Sequence, residues 1–337
     1  MKIKIIKKGM TIDEPTFEYA PGFVFTYSAA CDDYDWLVVY DEMPKDDVGT
    51  FRDGYEPLAC PRERTIFLTQ EPTSIKSYSR AFTRQFGHLL TNRPQEAERH
   101  PQYHLGRGYY EWYIGRTYRE CAEKVLPPKE KLISVVCSSK RMRHTQHDAR
   151  YRLTEALVAA IPEIEWYGRG VRDFDKKFEV LDPYKYHVTI ENHIALHHWS
   201  EKIADAILAE CLPFYAGDPA LGEVLPAESF IPIPFDDPAA AVEIVKAAIA
   251  SGEYEKRRDA ILEAKRLLLE KYNLWAQVIA VIKAEESQAV TPPNLKKPER
   301  IYARHALRKR NVCAALDEGW HHLVQYLGLQ RNKGGEK

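Results

Sequence analysis

The sequence has no surplus of charge, few cysteines and no long apolar run. Lys and Arg number 48 against 49 Asp and Glu, so the whole-chain field draws in neither nucleic acid nor an anionic membrane. Any anion site must therefore be local. The six cysteines, Cys31, Cys60, Cys121, Cys137, Cys211 and Cys313, include no C-x-x-C pair, and a chain this long does not need staples, so they read as reduced thiols. No segment approaches the roughly 18 uninterrupted apolar residues of a membrane span. The opening MKIKIIKKGM carries charge without an apolar run of signal-peptide length, which points to a soluble protein that is not secreted. Internal repeats and low-complexity sequence are absent.

What is present is a series of short apolar runs, each followed by polar residues and a helical pattern: FVFTYSA, DWLVVYDEM, RTIFLTQEP, LISVVCSSK, YHVTIEN and CLPFYAGDP. Strands alternating with helices imply an α/β fold with parallel sheets covered on both faces. The 337 residues fit two domains at roughly 100–200 residues each. KVLPPKEK, Lys124 to Lys131, has the prolines and charges of a linker. The expected division is 1–126, 127–286, and a linker with a helical tail over 287–337. That tail, from Arg300, places arginines and lysines beside apolar residues at helical spacing. It reads first as a helix packed on the body with its basic side solvated, with a peripheral membrane contact or a nucleic-acid patch over Arg304 to Arg310 as alternatives.

The stretch from Tyr186 to Leu208, YHVTIENHIALHHWSEKIADAIL, carries the chemistry. In open α/β sheets, ligands sit where loops leave the carboxyl ends of strands and meet helix N-termini. Ser200 is the expected N-cap, which puts Lys202 in the first helical turn, a position disfavoured for a cation by roughly 0.3–1 kcal/mol unless an anion is present. A zinc site would need His193, His197 and His198 to converge with a fourth ligand. His193 is followed by Ile194 rather than the glutamate of H-E-x-x-H, so the expectation is no metal. His198 reads instead as a hydrogen-bonding group facing a ligand.

YKYHVTIEN, then SEK, then PFYAGDP resembles the α1,3-fucosyltransferases of glycosyltransferase family 10, and the interval from Asn192 to Lys202 equals the family's. LISVVCSSK, ARYRLTEAL and EIEWYGRG are similar to further family segments. The resemblance runs from Leu132 to Tyr272 and more thinly from Ile66 to Asn92. It departs at His198, where the family has tyrosine, at Ile190 for phenylalanine and at Ser200 for threonine. The first sixty residues and the tail lie outside it, and acceptor pockets are expected in the N-terminal loops, including the aromatic run GRGYYEWYIGR.

The resemblance implies two Rossmann-like domains facing across a cleft, the GT-B type, with the acceptor on the N-terminal domain and GDP-fucose on the C-terminal one. It places Arg150 on a phosphate-binding arginine and Glu71 on the proposed base of an inverting transfer of fucose to a glycan hydroxyl, expected as an α1,3 linkage. Arg150 and Lys202 would neutralise the departing diphosphate. Asn192, His198 and Glu201 would meet donor hydroxyls or phosphate. With cations in that role no metal or other cofactor is required. Arg141 and Arg143 read as solvated loop residues, the acids of CDDYD and PFDDPA as turn or surface residues, and Gly217-Asp218-Pro219 as a ligand-facing turn. The expected partners are a GDP-sugar and a glycan acceptor, and the expected location is cytoplasmic, with peripheral contact at a membrane's inner face through the tail. Rival readings are another nucleotide sugar on the same scaffold, a binding protein without catalysis, and a zinc hydrolase.

Overall fold

A computed structural model describes residues 1–10, 16–44, 54–72, 75–141, 146–287, 299–317 and 319. The chain divides into two compact units, residues 1–106 with 278–337, and residues 107–277.

The first unit contains β1 (Lys2–Lys7), β2 (Thr16–Ala20), β3 (Phe23–Thr26), β4 (Trp36–Tyr40), β5 (Tyr55–Pro57), β6 (Thr65–Leu68), β7 (His88–Thr91) and β8 (Tyr103–Leu105). Its seven-stranded sheet has the order β2-β3-β1-β4-β6-β7-β8. Every pairing is parallel except that of β2 with β3. All residues of β4 and β6 are buried, the continuous apolar pattern of strands covered on both faces.

The second unit contains β9 (Lys131–Val136), β10 (Ile164–Tyr167), β11 (Tyr184–Ile190), β12 (Leu212–Ala216) and β13 (Ile231–Pro232). They form an all-parallel sheet in the order β10-β9-β11-β12-β13. Strand residues alternate between two cores, as the period of two requires. Leu212, Phe214 and Ala216 pack with Leu153, Leu157 and Val245, whereas Tyr215 packs with Ile203, Ile207 and Leu268. The six apolar runs read as strands fall in β3, β4, β6, β9, β11 and β12.

The unit boundary differs from the one drawn at Lys124–Lys131, which lies inside the second unit. There Pro127 and Pro128 separate a short helix, Tyr118–Glu123, from β9; they punctuate elements rather than domains. The aromatic run Gly106–Arg116 is almost wholly in the second unit. Tyr109 and Ile114 are fully buried, and Trp112 stacks on Tyr118 with ring centroids 6.2 Å apart. Gly108, at φ +71°, lies under Trp199, and a Cβ there would stand 2.2 Å from its Cη2. Only glycine fits both that backbone and that approach.

The tail also returns to a core. β14 (Arg300–Tyr302) pairs antiparallel with β5, and Ile301, Ala303, Leu307 and Ala314 join the first unit's apolar cluster. The basic helix Arg304–Arg310 buries Ala306 and Leu307, with Arg304 and Arg310 over the rings of Tyr78 and Tyr302 at 5.4 and 5.1 Å. This is the packed-helix reading rather than a detached extension. QAVTPPNLKKP, Arg143 and residues 320–337 lie outside the described residues. Among the described residues no helix is long and apolar enough to cross a membrane.

Candidate donor site

β11 ends at Ile190 and delivers Glu191 to the carboxyl edge of the sheet. The next helix, Glu201–Leu208, is capped by Ser200, whose hydroxyl accepts from the Lys202 amide, as the sequence places it. Glu191 is fully buried. Its carboxylate accepts from the Ser200 amide at 3.0 Å and from the Ser200 hydroxyl at 2.9 and 2.7 Å. Lys202 Nζ lies 3.3 Å from Glu191 and 3.1 Å from Glu201. The cation disfavoured by the helix dipole is thus compensated by two carboxylates. Burial presses the Lys202 pKa down, but Glu191 and Glu201 outweigh it and leave it raised. Burial likewise lifts Glu201, and Lys202 and Lys177 overcome it, holding the carboxyl well below the usual range.

Arg150 stands on the helix His147–Ala160 and donates through Nη2 to the carbonyl of Val136, the last residue of β9, at 2.7 Å. Since β9 and β11 are neighbours in the sheet, Arg150 and Lys202 lie over the carboxyl ends of adjacent strands. They are close enough that the guanidinium opposes the protonation of Lys202. A third cation, Lys177, donates to Asp205 at 2.8 Å. His187, hydrogen-bonded to Ser134 at 2.9 Å, is pushed down to about 3 by burial and then by Lys177 and Arg150. The region is thus a balanced set of cations and carboxylates at the switch from strands to helices, suited to an anionic ligand.

Asp205 gives this balance a pH signature. Burial pushes its carboxyl up to about 6, against the pull of Lys177 and the Tyr113 amide and with the repulsion of Glu201. Because the folded state binds a proton that the unfolded chain releases near pH 3.9, stability falls as pH rises from about 4 to 6, by about 3 kcal/mol if this group acts alone. Urea melts across that window should show the slope in the parent protein and its loss in Asp205→Asn.

His193 and His198 meet edge to face at 5.1 Å between centroids, and His198 Nδ1 lies 3.3 Å from the Tyr110 hydroxyl. Among the described residues no group of three or more His, Cys, Asp or Glu side chains lies close enough to hold a metal ion. Asn192 is half-buried at the start of the loop. Arg141 pairs with Asp148 at 3.0 Å and is half-exposed, in keeping with a solvated loop residue. Glu71 belongs to the first unit, in the loop after β6, where its carbonyl accepts from the buried Arg93 at 2.6 Å.

The structure therefore brings together Arg150, Lys202 and Glu201, sets Asn192 and His198 on the adjoining loop, and places Glu71 in the other unit. Sequence reasoning missed Lys177, Asp205 and Tyr110. The aromatic run containing Tyr110 was the one visible signal, and it was expected among acceptor loops rather than beside His198.

Both units are α/β with largely parallel sheets, and in the second a sheet edge lined by cations and carboxylates meets a helix N-terminus. Residues 126–254 match the family described as glycosyltransferase family 10 (fucosyltransferase) C-term. No curated protein matches it. Among solved structures, an α1,3-fucosyltransferase is 15% identical over 80% of this chain and 82% of that one, with a TM-score of 0.47. The structure described as α1,3-fucosyltransferase with GDP-fucose is 15% identical over 86% and 92%, with a TM-score of 0.46. A sucrose-phosphate synthase from Thermosynechococcus elongatus is 10% identical over 85% and 88%, with a TM-score of 0.41.

Proposed function

We infer that the protein transfers fucose from GDP-fucose to a hydroxyl of a glycan acceptor with inversion, forming an α1,3 linkage. The observation that carries this reading is the convergence of Arg150 and Lys202 over adjacent strand ends inside the family-matched segment. As the bond from the anomeric carbon to the phosphate oxygen breaks, its electron pair passes to the diphosphate. The guanidinium fork and the ammonium stabilise that added charge. Glu201, Asn192 and His198 hold donor hydroxyls or phosphate. The acceptor oxygen attacks the opposite face of the sugar and gives its proton to the Glu71 carboxylate. With two cations on the leaving group the reaction needs no metal or other cofactor. The enzyme acts in the cytoplasm, and its basic tail offers a peripheral membrane contact.

A second reading keeps the scaffold and changes the nucleotide sugar. It is favoured by His198, which stands where the family pattern has tyrosine and shares a hydrogen bond with Tyr110. Thermal shifts separate the two, because a ligand bound only by the folded state raises Tm. GDP-fucose should raise it by more than GDP-mannose or UDP-sugars. Incubation with GDP-fucose and lactose- or N-acetyllactosamine-type acceptors should release GDP. Absence of turnover on every acceptor would contradict the reading.

A further inference from the structure

Beside the cation pair, the next strand end carries polar groups that the transfer as described does not use. β12 runs into Gly217 and Asp218. Gly217 is required there by close approach, since a Cβ would stand 2.1 Å from the Tyr215 hydroxyl. That hydroxyl accepts from the Asp218 amide at 2.9 Å. Asp218 is 3% exposed. Its Oδ1 accepts from the amides of His197 and Ala220, both at 2.9 Å. The first of these bonds holds His197 at φ +64°, a left-handed conformation that a non-glycine residue adopts only when its surroundings impose it. Arg107, at the start of the second unit, donates through Nη2 to Glu223 at 2.9 Å.

Three side chains of this group have buried polar atoms with no hydrogen-bond partner among the described residues: Asp218 Oδ2, His197 Nδ1, and Arg107 Nε and Nη1. Buried polar atoms are rarely left unmatched; single ones occur elsewhere in both units, but here four gather on three side chains joined around one strand end, which marks a place built for a ligand. The chemistry limits what that ligand is. The guanidinium is paired with Glu223 and its charge also acts on Asp218, so two carboxylates already share it, a further anion is disfavoured, and the diphosphate belongs with Arg150 and Lys202. A carboxylate oxygen accepts from a hydroxyl, while guanidinium N–H groups donate to the oxygen of its neighbour. A neutral pair of adjacent hydroxyls satisfies both.

Resting on the donor reading above, we propose that Arg107, His197 and Asp218 form a hydroxyl-reading subsite that binds two adjacent hydroxyls of a sugar ring of the nucleotide donor. The strand order β9-β11-β12 places the leaving diphosphate at the first two strand ends and this sugar at the third. Such hydroxyls occur both on the transferred sugar and on the ribose, and the two sources give different results.

Calorimetric binding of GDP-fucose, GDP and 2′-deoxy-GDP to the full chain, to Asp218→Asn and to Arg107→Gln tests the assignment. The asparagine side chain keeps an oxygen for the His197 and Ala220 amides, so the loop is retained. If the transferred sugar is read, the parent protein prefers GDP-fucose to GDP, and both variants lose that preference by about tenfold while GDP affinity is unchanged. If the ribose is read, the preference for GDP over 2′-deoxy-GDP is the one lost. Variants that retain both preferences, or that lose affinity for all three ligands equally, overturn the subsite. A parent protein that binds none of them overturns the donor reading itself.

Discussion

Lys202→Met should lower turnover by about 10²–10³-fold, the scale seen when one fixed stabiliser of developing negative charge is removed. The same change should destabilise the fold, because Glu191 is fully buried and its ammonium partner 3.3 Å away would be gone. Breaking a buried ion pair from one side costs about 3–5 kcal/mol, and the three bonds from Ser200 to Glu191 put the expectation at the low end. These two effects are separable. In Glu191→Gln/Lys202→Met the fully buried carboxylate is neutral and only the less buried Glu201 loses its lysine, so urea melts should recover much of the lost stability, while GDP release from GDP-fucose should remain at the level of the single variant. Recovery of activity together with stability would mean that Lys202 serves only to neutralise Glu191, and the diphosphate would then need another cation.

The fold was legible where burial makes a local pattern. WLVVY and the IFL of β6 are uninterrupted apolar runs because their strands are covered on both sides. β1 was hidden by its own charges. KIKIIK reads as a basic N-terminus, yet Lys4 is 1% exposed and donates to the carbonyls of Ala29 and Cys31 and to Glu56. A buried lysine is tolerated only with such partners, and all three come from later in the chain.

The site divides in the same way. The Ser200 cap and the position of Lys202 are set by the first helical turn and could be read directly. The pairs Lys177 with Asp205 and His197 with Asp218 join residues 28 and 21 positions apart, and no periodicity records them. The contact division falls away from the prolines for a related reason. Two prolines announce that an element ends, whereas Gly108 shows that the chain has already entered the second unit only through its contact with Trp199.

Glu71→Gln carries the other large effect. If the carboxylate takes the acceptor proton, its amide cannot, and kcat should fall by about 10²–10⁴-fold, the range of general base catalysis. The loop also has a backbone anchor. Arg93, 4% exposed, donates through Nη2 to the carbonyls of Glu71 and Lys76 at 2.6 and 2.7 Å and through Nη1 to Glu98 at 3.2 Å. It also lies over the Tyr78 ring at 4.6 Å. The GDP-induced thermal shift and the urea midpoint of the variant, measured beside kcat, separate loss of the base from any loss of the loop. The pH dependence is the stricter readout. In the parent, kcat/KM should fall on the acid side as the base is protonated, and in the glutamine variant that limb should vanish from whatever activity remains. A variant that keeps turnover within tenfold, with the acid limb intact, would place the base on another carboxylate of the first unit; Asp41 and Glu42, buried after β4 and both paired with Lys76, would be the next to replace.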